Sequence, residues 1–368
     1  MSKRESQKNL IYLFPSFLEH PGLQRKVSGQ VKGLNALYNC QLYAIPSSAL
    51  HPKWHRALAY FRFTIHSIIK AIQCDMTYIR LNAKYPLLLY ILSKLASKKP
   101  IIIEVNSNYN VELPYLGRHF EYKCYQWIMK KLIHSKAHLA FPSQTVYDEV
   151  KQVHPHTHQV HFLQNGYIKD DAPLTDHEET KLRQLITTIQ ALKKPDTKLA
   201  VLVSSVPSPR AIDLIQVLTH YPTLKLVSIG SESLNSIHAS ITYIPTISPK
   251  ILDHLLPYFD LGVAPQYSHE TGFFGGSILK TCAYLANGLP IITDYEDSLE
   301  TTELSPYIFN FRKYQDQFPN EFKDWLTVEH DRNQIKSIAK PILNWEKILG
   351  SIIQKAIQDH EIPSKLTK

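Results

Sequence analysis

Short apolar runs of strand length alternate with longer segments of helical period along nearly the whole chain, and this alternation restricts the fold more than any other feature of the sequence. The first runs are Asn9–Phe14, Gln41–Ile45, Met76–Leu81, Ile101–Val105 and His138–Phe141. Between them stand segments with apolar residues at helical spacing. Leu23, Val27, Val31, Leu34 and Leu37 mark the first, and the Phe-, Tyr- and Ile-rich stretch Ala57–Ile72 the second. Pro86–Leu95 follows, then a helix whose Phe120, Cys124, Trp127, Ile128 and Leu132 share a face, then Thr145–Val150. Strands separated by helices need crossover connections, so the pattern predicts a parallel sheet covered on both faces, with strand 41–45 and helix 57–72 in its core.

A turn over Glu19–Gly22 joins the first strand to the first helix and puts Gly22 in the loop. The strand 101–105 runs into Glu104, Asn106, Ser107 and Asn108, polar groups at the carboxyl edge of the sheet, where open α/β sheets bind ligands. Around Lys169–Lys198 the composition changes: an acidic stretch, one amphipathic helix over Leu182–Leu192, then Lys193-Lys194-Pro195-Asp196. A second alternating series begins at LAVLVSS. The expected organisation is a doubly wound domain over 1–168, a linker and helix over 169–197, and a second doubly wound domain over 198–343. The final helical segment, marked by Trp345, Ile348, Ile352 and Ile357, either lids the second domain or crosses back to the first.

A chain of 368 residues is long enough for two cores. Cys40, Cys74, Cys124 and Cys282 are too scattered for a zinc site or a disulfide framework, which fits a reducing cytoplasm. No apolar run approaches the ~20 residues of a membrane span, and the start does not read as a secretory signal. The formal charge of +9 favours anionic partners: a membrane surface, nucleic acid or phosphorylated substrates. Without a basic stripe, nucleic acid ranks last. His154, His156, His158 and His161 invite a metal, but no carboxylate is spaced to complete a site, and they read as surface histidines.

The segment with most chemistry is Gln266–Asp294, QYSHETGFFGGSILKTCAYLANGLPIITD. Gly275 and Gly276 permit close backbone approach, Ser277 can cap a helix, and the amides through Ile278 would face an anion with the helix dipole behind them. Ordinary helix-cap chemistry has the same composition, so both readings stand on the local sequence alone. The helix closes at Asn287-Gly288 before a short apolar strand.

Several pieces resemble one family in order along the chain. LKTCAYLANGLPIITD is similar to the LK-x-x-E-Y-x-A-x-G-x-P-V-I segment of retaining GT-B glycosyltransferases of the family 4 type, and DLGVAPQ resembles the strand before it. FLQNGY resembles the end of that family's first domain, SSVPSPRAIDLI the first loop of its second, IIIEVNSNYNVELP a stretch of its acceptor domain, and Trp345-Glu346 the helix that crosses back. The resemblance implies a GT-B fold of two Rossmann-like domains facing a cleft, a nucleotide-sugar donor, and a glycan or lipid-linked acceptor. Retention of anomeric configuration and no need of a metal or other cofactor follow from it, while the basic charge suits a lipid-linked acceptor and a cytoplasmic protein at the inner face of a membrane. It puts Arg210 and Lys280 on the donor phosphates, with Ser205 and the backbone of Gly275, Gly276, Ser277 and Ile278 beside them. Gly22, Glu104, Asn106 and Asn108 fall on the acceptor side. The chain departs from the family at its two glutamates: Gly275 and Ala283 occupy those positions, with Glu270 the nearest candidate for the first role. A non-catalytic GT-B-like binding subunit is the alternative that this departure favours.

Other enzyme classes fit less well. No G-x-G-x-x-G follows the first strand and no Walker lysine motif is present. A retaining glycoside hydrolase needs two carboxylates about 5 Å apart, and nothing in the sequence fixes Glu104 and Glu112 at such a separation.

Overall fold

The computed structural model describes residues 8–16, 21–45, 53–142, 144–154, 159–169, 172–204, 209–230, 240–265, 279–295, 297–311 and 318–366. The chain forms two compact units, one of 1–164 with 344–368 and one of 165–343. In the first, β1 (Asn9–Phe14), α1 (Pro21–Leu37), β2 (Asn39–Ala44), α2 (Lys53–Gln73), β3 (Met76–Arg80), α3 (Pro86–Leu95) and β4 (Ile101–Glu104) alternate as the sequence predicts. Then come α4 (Tyr109–Tyr115), α5 (His119–Ile133), β5 (His138–Phe141), α6 (Gln144–Val153) and β6 (Val160–Phe162). All pairings are parallel, in the order β2-β1-β3-β4-β5-β6.

In the second unit α7 (Asp176–Leu192) precedes β7 (Lys198–Val203), α8 (Pro209–Thr219), β8 (Leu224–Ile229), β9 (Thr242–Ile244), α9 (Pro249–Leu255) and β10 (Leu261–Ala264). They are followed by α10 (Leu279–Ala286), β11 (Ile291–Thr293), β12 (Ile308–Asn310), α11 (Phe318–Thr327) and α12 (Arg332–Ile342). The sheet order is β12-β11-β10-β7-β8-β9, again parallel. α7 starts earlier than its apolar period suggests because Thr175 and Glu178 form a capping box, a signal written in the sequence as T-x-x-E. Its Ile189 is in the second unit's core, so this helix belongs to that unit. α10 ends in a Schellman turn, with Leu289 N–H bonded to the Tyr284 carbonyl and Gly288 at φ 78°, as the Asn-Gly pair predicts.

The last helix, α13 (Trp345–Leu366), returns to the first unit and packs on α1. Gly29 and Gly33, one turn apart on α1, make this possible: a Cβ on Gly33 would stand 2.8 Å from the Trp345 backbone, and one on Gly29 2.6 Å from its indole nitrogen. Trp345 is 1% exposed in that notch.

Four expectations need correction. Strand 41–45 is not core: β2 is the edge strand of its sheet, and its Gln41 and Leu42 are exposed. Gly22 is the second residue of α1 and not part of the loop, because Pro21 starts the helix at a position where its missing N–H costs nothing. On α5 the buried face is Tyr125, Ile128, Met129 and Leu132, whereas Phe120 and Trp127 are exposed; the apolar arc is wider than the sheet and α3 cover. On α2 only one side is core, with Phe63, Ser67 and Ala71 buried.

Of the histidine group, 155–158 lie outside the described residues, and among the described residues no cluster suits a metal. His161 on β6 instead stacks on His138 of β5, with Nε2 2.8 Å from His138 Nδ1. His138 Nε2 faces Asp359 of α13 at 3.8 Å. Burial holds His138 down to about 4, the nearby Asp359 opposing and Lys355 and His360 adding to the effect. His161 is held at about 3 by burial, then by His138, Lys355 and Lys151. Two imidazolium rings cannot share this contact, since each nitrogen would present a proton. Both values lie below the ordinary 6.5, so the stabilisation is complete above pH 6.5 and is lost as pH falls toward 4. Urea denaturation is expected to show a loss on the order of 3 kcal/mol between about pH 6.5 and 4, flattened in His161→Phe.

Candidate functional site

Each sheet has one topological switch point, the place where its strand order reverses and where a crevice opens at the carboxyl ends. In the first unit it lies between β1 and β3, and in the second between β7 and β10.

At the first switch point a cavity of about 120 Å³ is bordered by the ends of β1 and β3 and the segments after β1, β3 and β4. Arg80, Asn82, Asn106 and Tyr109 supply its polar lining, and Phe14 and Leu23 much of its apolar wall. The Arg80 guanidinium lies 5.7 Å from the Phe14 ring centre, and among the described residues its buried Nη1 has no hydrogen-bond partner. Asn82 is committed to the loop, its Nδ2 donating to the Pro15 carbonyl at 2.8 Å. Tyr109 donates to Leu81 O at 3.2 Å, with Asn106 Oδ1 at 3.3 Å. A planar cation with a spare buried N–H, beside amide groups, is suited to an anion or a polyol.

Below this cavity sits a fully buried polar cluster. Glu104, in register with Arg80 on the neighbouring strand, is 0% exposed. Lys26 Nζ lies 2.7 Å from its Oε1, while Tyr78 OH and Gln30 Nε2 donate to Oε2 at 2.7 and 2.8 Å. Tyr12 OH in turn donates to Gln30 Oε1 at 2.7 Å. Burial alone would raise the Glu104 pKa, but the charges of Lys26 and Arg80 and the hydrogen bonds from Lys26 and Gln30 overcome it and hold the group at about 2. Tyr12 and Tyr78 are pushed well above 10 by burial and then by Glu104, so both phenols remain donors. Glu104 therefore acts through the residues that it fixes. Asn106 lines the cavity, Asn108 is buried at the start of α4, and Gly22 is in the first turn of α1. Arg80, Lys26 and Gln30 do not stand out in the sequence; the signal for Arg80 is its place at the end of a strand, as for Glu104.

At the second switch point the residues singled out from the sequence fall mostly outside the described set: Ser205, Glu270, Gly275, Gly276, Ser277 and Ile278. Arg210 is the second residue of α8, the helix that follows β7, and Lys280 the second residue of α10, the helix that follows β10. α10 is fastened on three sides. Tyr284 OH accepts from Val203 N–H, the end of β7, at 3.0 Å. Thr281 pairs with Tyr295 OH at 2.9 Å, and Tyr295 donates to Asp297 at 2.8 Å. Cys282 Sγ reaches the Asn165 carbonyl at 3.4 Å. The Tyr284 ring covers β10 where Gly262 leaves room, for a Cβ there would stand 2.3 Å from the ring. Ala283 is 6% exposed and packs into the core of this unit. Among the described residues, α10 carries no carboxylate. Two other cavities, near Lys198 and Asp260, lie at the amino ends of the strands, away from the switch point.

No family model matches the sequence, and no curated protein does. Solved structures do match over nearly the full chain. A glycosyltransferase from Rickettsia africae has a TM-score of 0.62 at 12% identity, covering 96% of this chain and 98% of its own. HepE of Anabaena in complex with UDP-glucose has a TM-score of 0.58 at 12% identity, covering 94% and 98%. An α,α-trehalose 6-phosphate synthase from Burkholderia multivorans has 0.58 at 11%, covering 95% and 98%. The shared fold is the two-unit GT-B arrangement expected from the sequence.

Proposed function

We propose that this chain is a glycosyltransferase that takes a sugar from a nucleotide-sugar donor held by the second unit and passes it to an acceptor held by the first. The observation that carries the reading is the fastening of α10, whose second residue is Lys280, to the end of β7 through Tyr284, β7 being the strand that leads to Arg210. That is the switch point of a 3-2-1-4-5-6 sheet, where phosphates of a nucleotide are bound in such folds. The similarity to HepE, crystallised with UDP-glucose, supports a sugar nucleotide as donor. Bond cleavage leaves growing negative charge on the diphosphate, which Arg210, Lys280 and the amides of 275–278 stabilise. Glu270 is the candidate for the role of the resembling family's first glutamate and Ser205 a further donor-side contact. The reaction retains anomeric configuration, with a donor phosphate oxygen taking the acceptor proton, and needs no metal. Arg80 and Asn106 receive the acceptor, a glycan or a lipid-linked glycan at the inner surface of a membrane, and Arg80 gives this site a preference for an anionic group. A second reading, a binding subunit without donor chemistry, draws on the core packing of Ala283 where the resembling family has a glutamate.

The test is release of nucleoside diphosphate from a panel of nucleotide sugars. Arg210→Ala and Lys280→Ala are each expected to lower turnover on the order of a hundredfold, with EDTA without effect. Turnover equal to wild type in both variants removes the phosphate assignment; no binding or turnover of any donor by wild type favours the binding subunit.

A further inference from the structure

We infer that the cavity beside Arg80 is a carboxylate subsite, and that the acceptor is an acidic sugar of the uronic type whose carboxylate enters the cavity while its ring stays outside. The inference rests on the proposed reading of the first unit as the acceptor side, and it narrows the acceptor to one chemical class.

Hydrogen bonding selects the kind of group. Asn82 is spent, its Nδ2 donating to the Pro15 carbonyl at 2.8 Å and its Oδ1 accepting from Lys84 N–H at 3.0 Å. Asn106 presents Oδ1 to the Tyr109 hydroxyl at 3.3 Å, which leaves its Nδ2 to donate. Among the described residues the buried Nη1 of Arg80 has no partner. These two nitrogens only donate, so the pair suits a group made of acceptors. A sugar hydroxyl between them would turn its own proton toward N–H groups.

Charge selects a single negative charge. Lys26 and Glu104 cancel as an ion pair, and the phenols of Tyr12 and Tyr78 stay protonated. Arg80 therefore brings one positive charge that nothing in this cluster offsets. Glu112, the next carboxylate along the chain, is bound by the Ser107 hydroxyl and does not line the cavity. A carboxylate balances one charge, whereas a phosphate monoester brings about −1.5 to −2 at pH 7 and would leave an excess close to buried Glu104. Size agrees. At about 120 Å³ the cavity is smaller than the roughly 150 Å³ that houses a benzene-sized ring, so it takes a carboxylate and the carbon that bears it. The Phe14 ring, 5.7 Å from the guanidinium, backs a planar fork that matches two carboxylate oxygens.

The test is calorimetric titration of the full-length protein at pH 7 with sodium glucuronate, glucose and glucose 6-phosphate, without donor. Glucuronate is expected to bind at least about tenfold tighter than glucose and tighter than glucose 6-phosphate. Arg80→Met is expected to bind glucuronate and glucose equally, and Arg80→Lys, which keeps the charge and loses the fork, to retain only part of the preference. Circular dichroism checks that each variant is folded. Asn106→Ala, expected to weaken glucuronate binding more than glucose binding, gives a second reading should Arg80→Met not fold. Absence of glucuronate binding up to about 50 mM, equal binding of glucuronate and glucose by wild type, or a preference that survives Arg80→Met overturns the inference. Tighter binding of glucose 6-phosphate overturns it as well and assigns the cavity to a phosphate. Turnover of nucleotide sugars by wild type is measured separately: glucuronate binding through Arg80 without any turnover counts against the enzymatic reading alone, and turnover without the glucuronate preference counts against the carboxylate subsite alone.

Discussion

Lys26→Met is expected to lose about 3–5 kcal/mol of stability in urea denaturation at pH 7. The side chains of Lys26 and Glu104 are 6% and 0% exposed, so removing the ammonium leaves a carboxylate with neither water nor its nearest counter-charge. Gln30 and Tyr78 remain as donors to Oε2, and Arg80 still lowers the Glu104 pKa. The double variant Lys26→Met/Glu104→Gln, which removes the charge as well, is expected to recover most of the loss. A loss below about 1 kcal/mol in the single variant would mean that the two neutral donors suffice. The same carboxylate sets an acid limit of its own. Its folded value of about 2 lies below the ordinary 4.5, so its stabilisation is present above pH 4.5 and is lost as pH falls from there toward 2. That window lies below the one expected for His138 and His161, and a stability profile against pH separates them. The cluster ties β1, β3, β4 and α1 together beneath Arg80 and Asn106, so loss of Lys26 also loosens the floor of the first cavity.

Gly262→Val is expected to cost about 2–4 kcal/mol and to take donor turnover with it. Any Cβ at this position meets the Tyr284 ring at 2.3 Å, closer than side-chain rearrangement within a packed core can absorb. The ring must leave, and its hydroxyl then releases Val203 N–H at the end of β7. Tyr284→Phe isolates the second part: it keeps the ring over Gly262, loses one hydrogen bond and is expected to cost only about 1 kcal/mol. Turnover lowered far more in Gly262→Val than in Tyr284→Phe would locate the effect in the position of α10. Equal stability of Gly262→Val and wild type would show that the contact imposes no constraint.

Much of the fold was legible because it depends on local rules. Period two against period 3.6 gave the strands and helices, and crossover length made both sheets parallel. Asn287-Gly288 closed α10 where the turn chemistry said it would. The switch points followed once the strand order was known, and with them the positions of Arg210 and Lys280 at helix starts. What periodicity could not supply was which apolar residues are covered. α2 and α5 have apolar arcs wider than their neighbours conceal, and a helical period does not say how wide the neighbouring surface is.

The sequence by itself determined two parallel α/β units and the turn that ends α10. Only the tertiary structure decided the roles of individual polar residues. Glu104 meets Gln30 across 74 positions of chain, His138 meets His161 across 23, and Trp345 enters a notch made by two glycines near the other terminus. Such contacts leave no local pattern, because what selects them is the cost of burying a charge, a proton or a ring without a partner, and that cost exists only once the chain has closed around it.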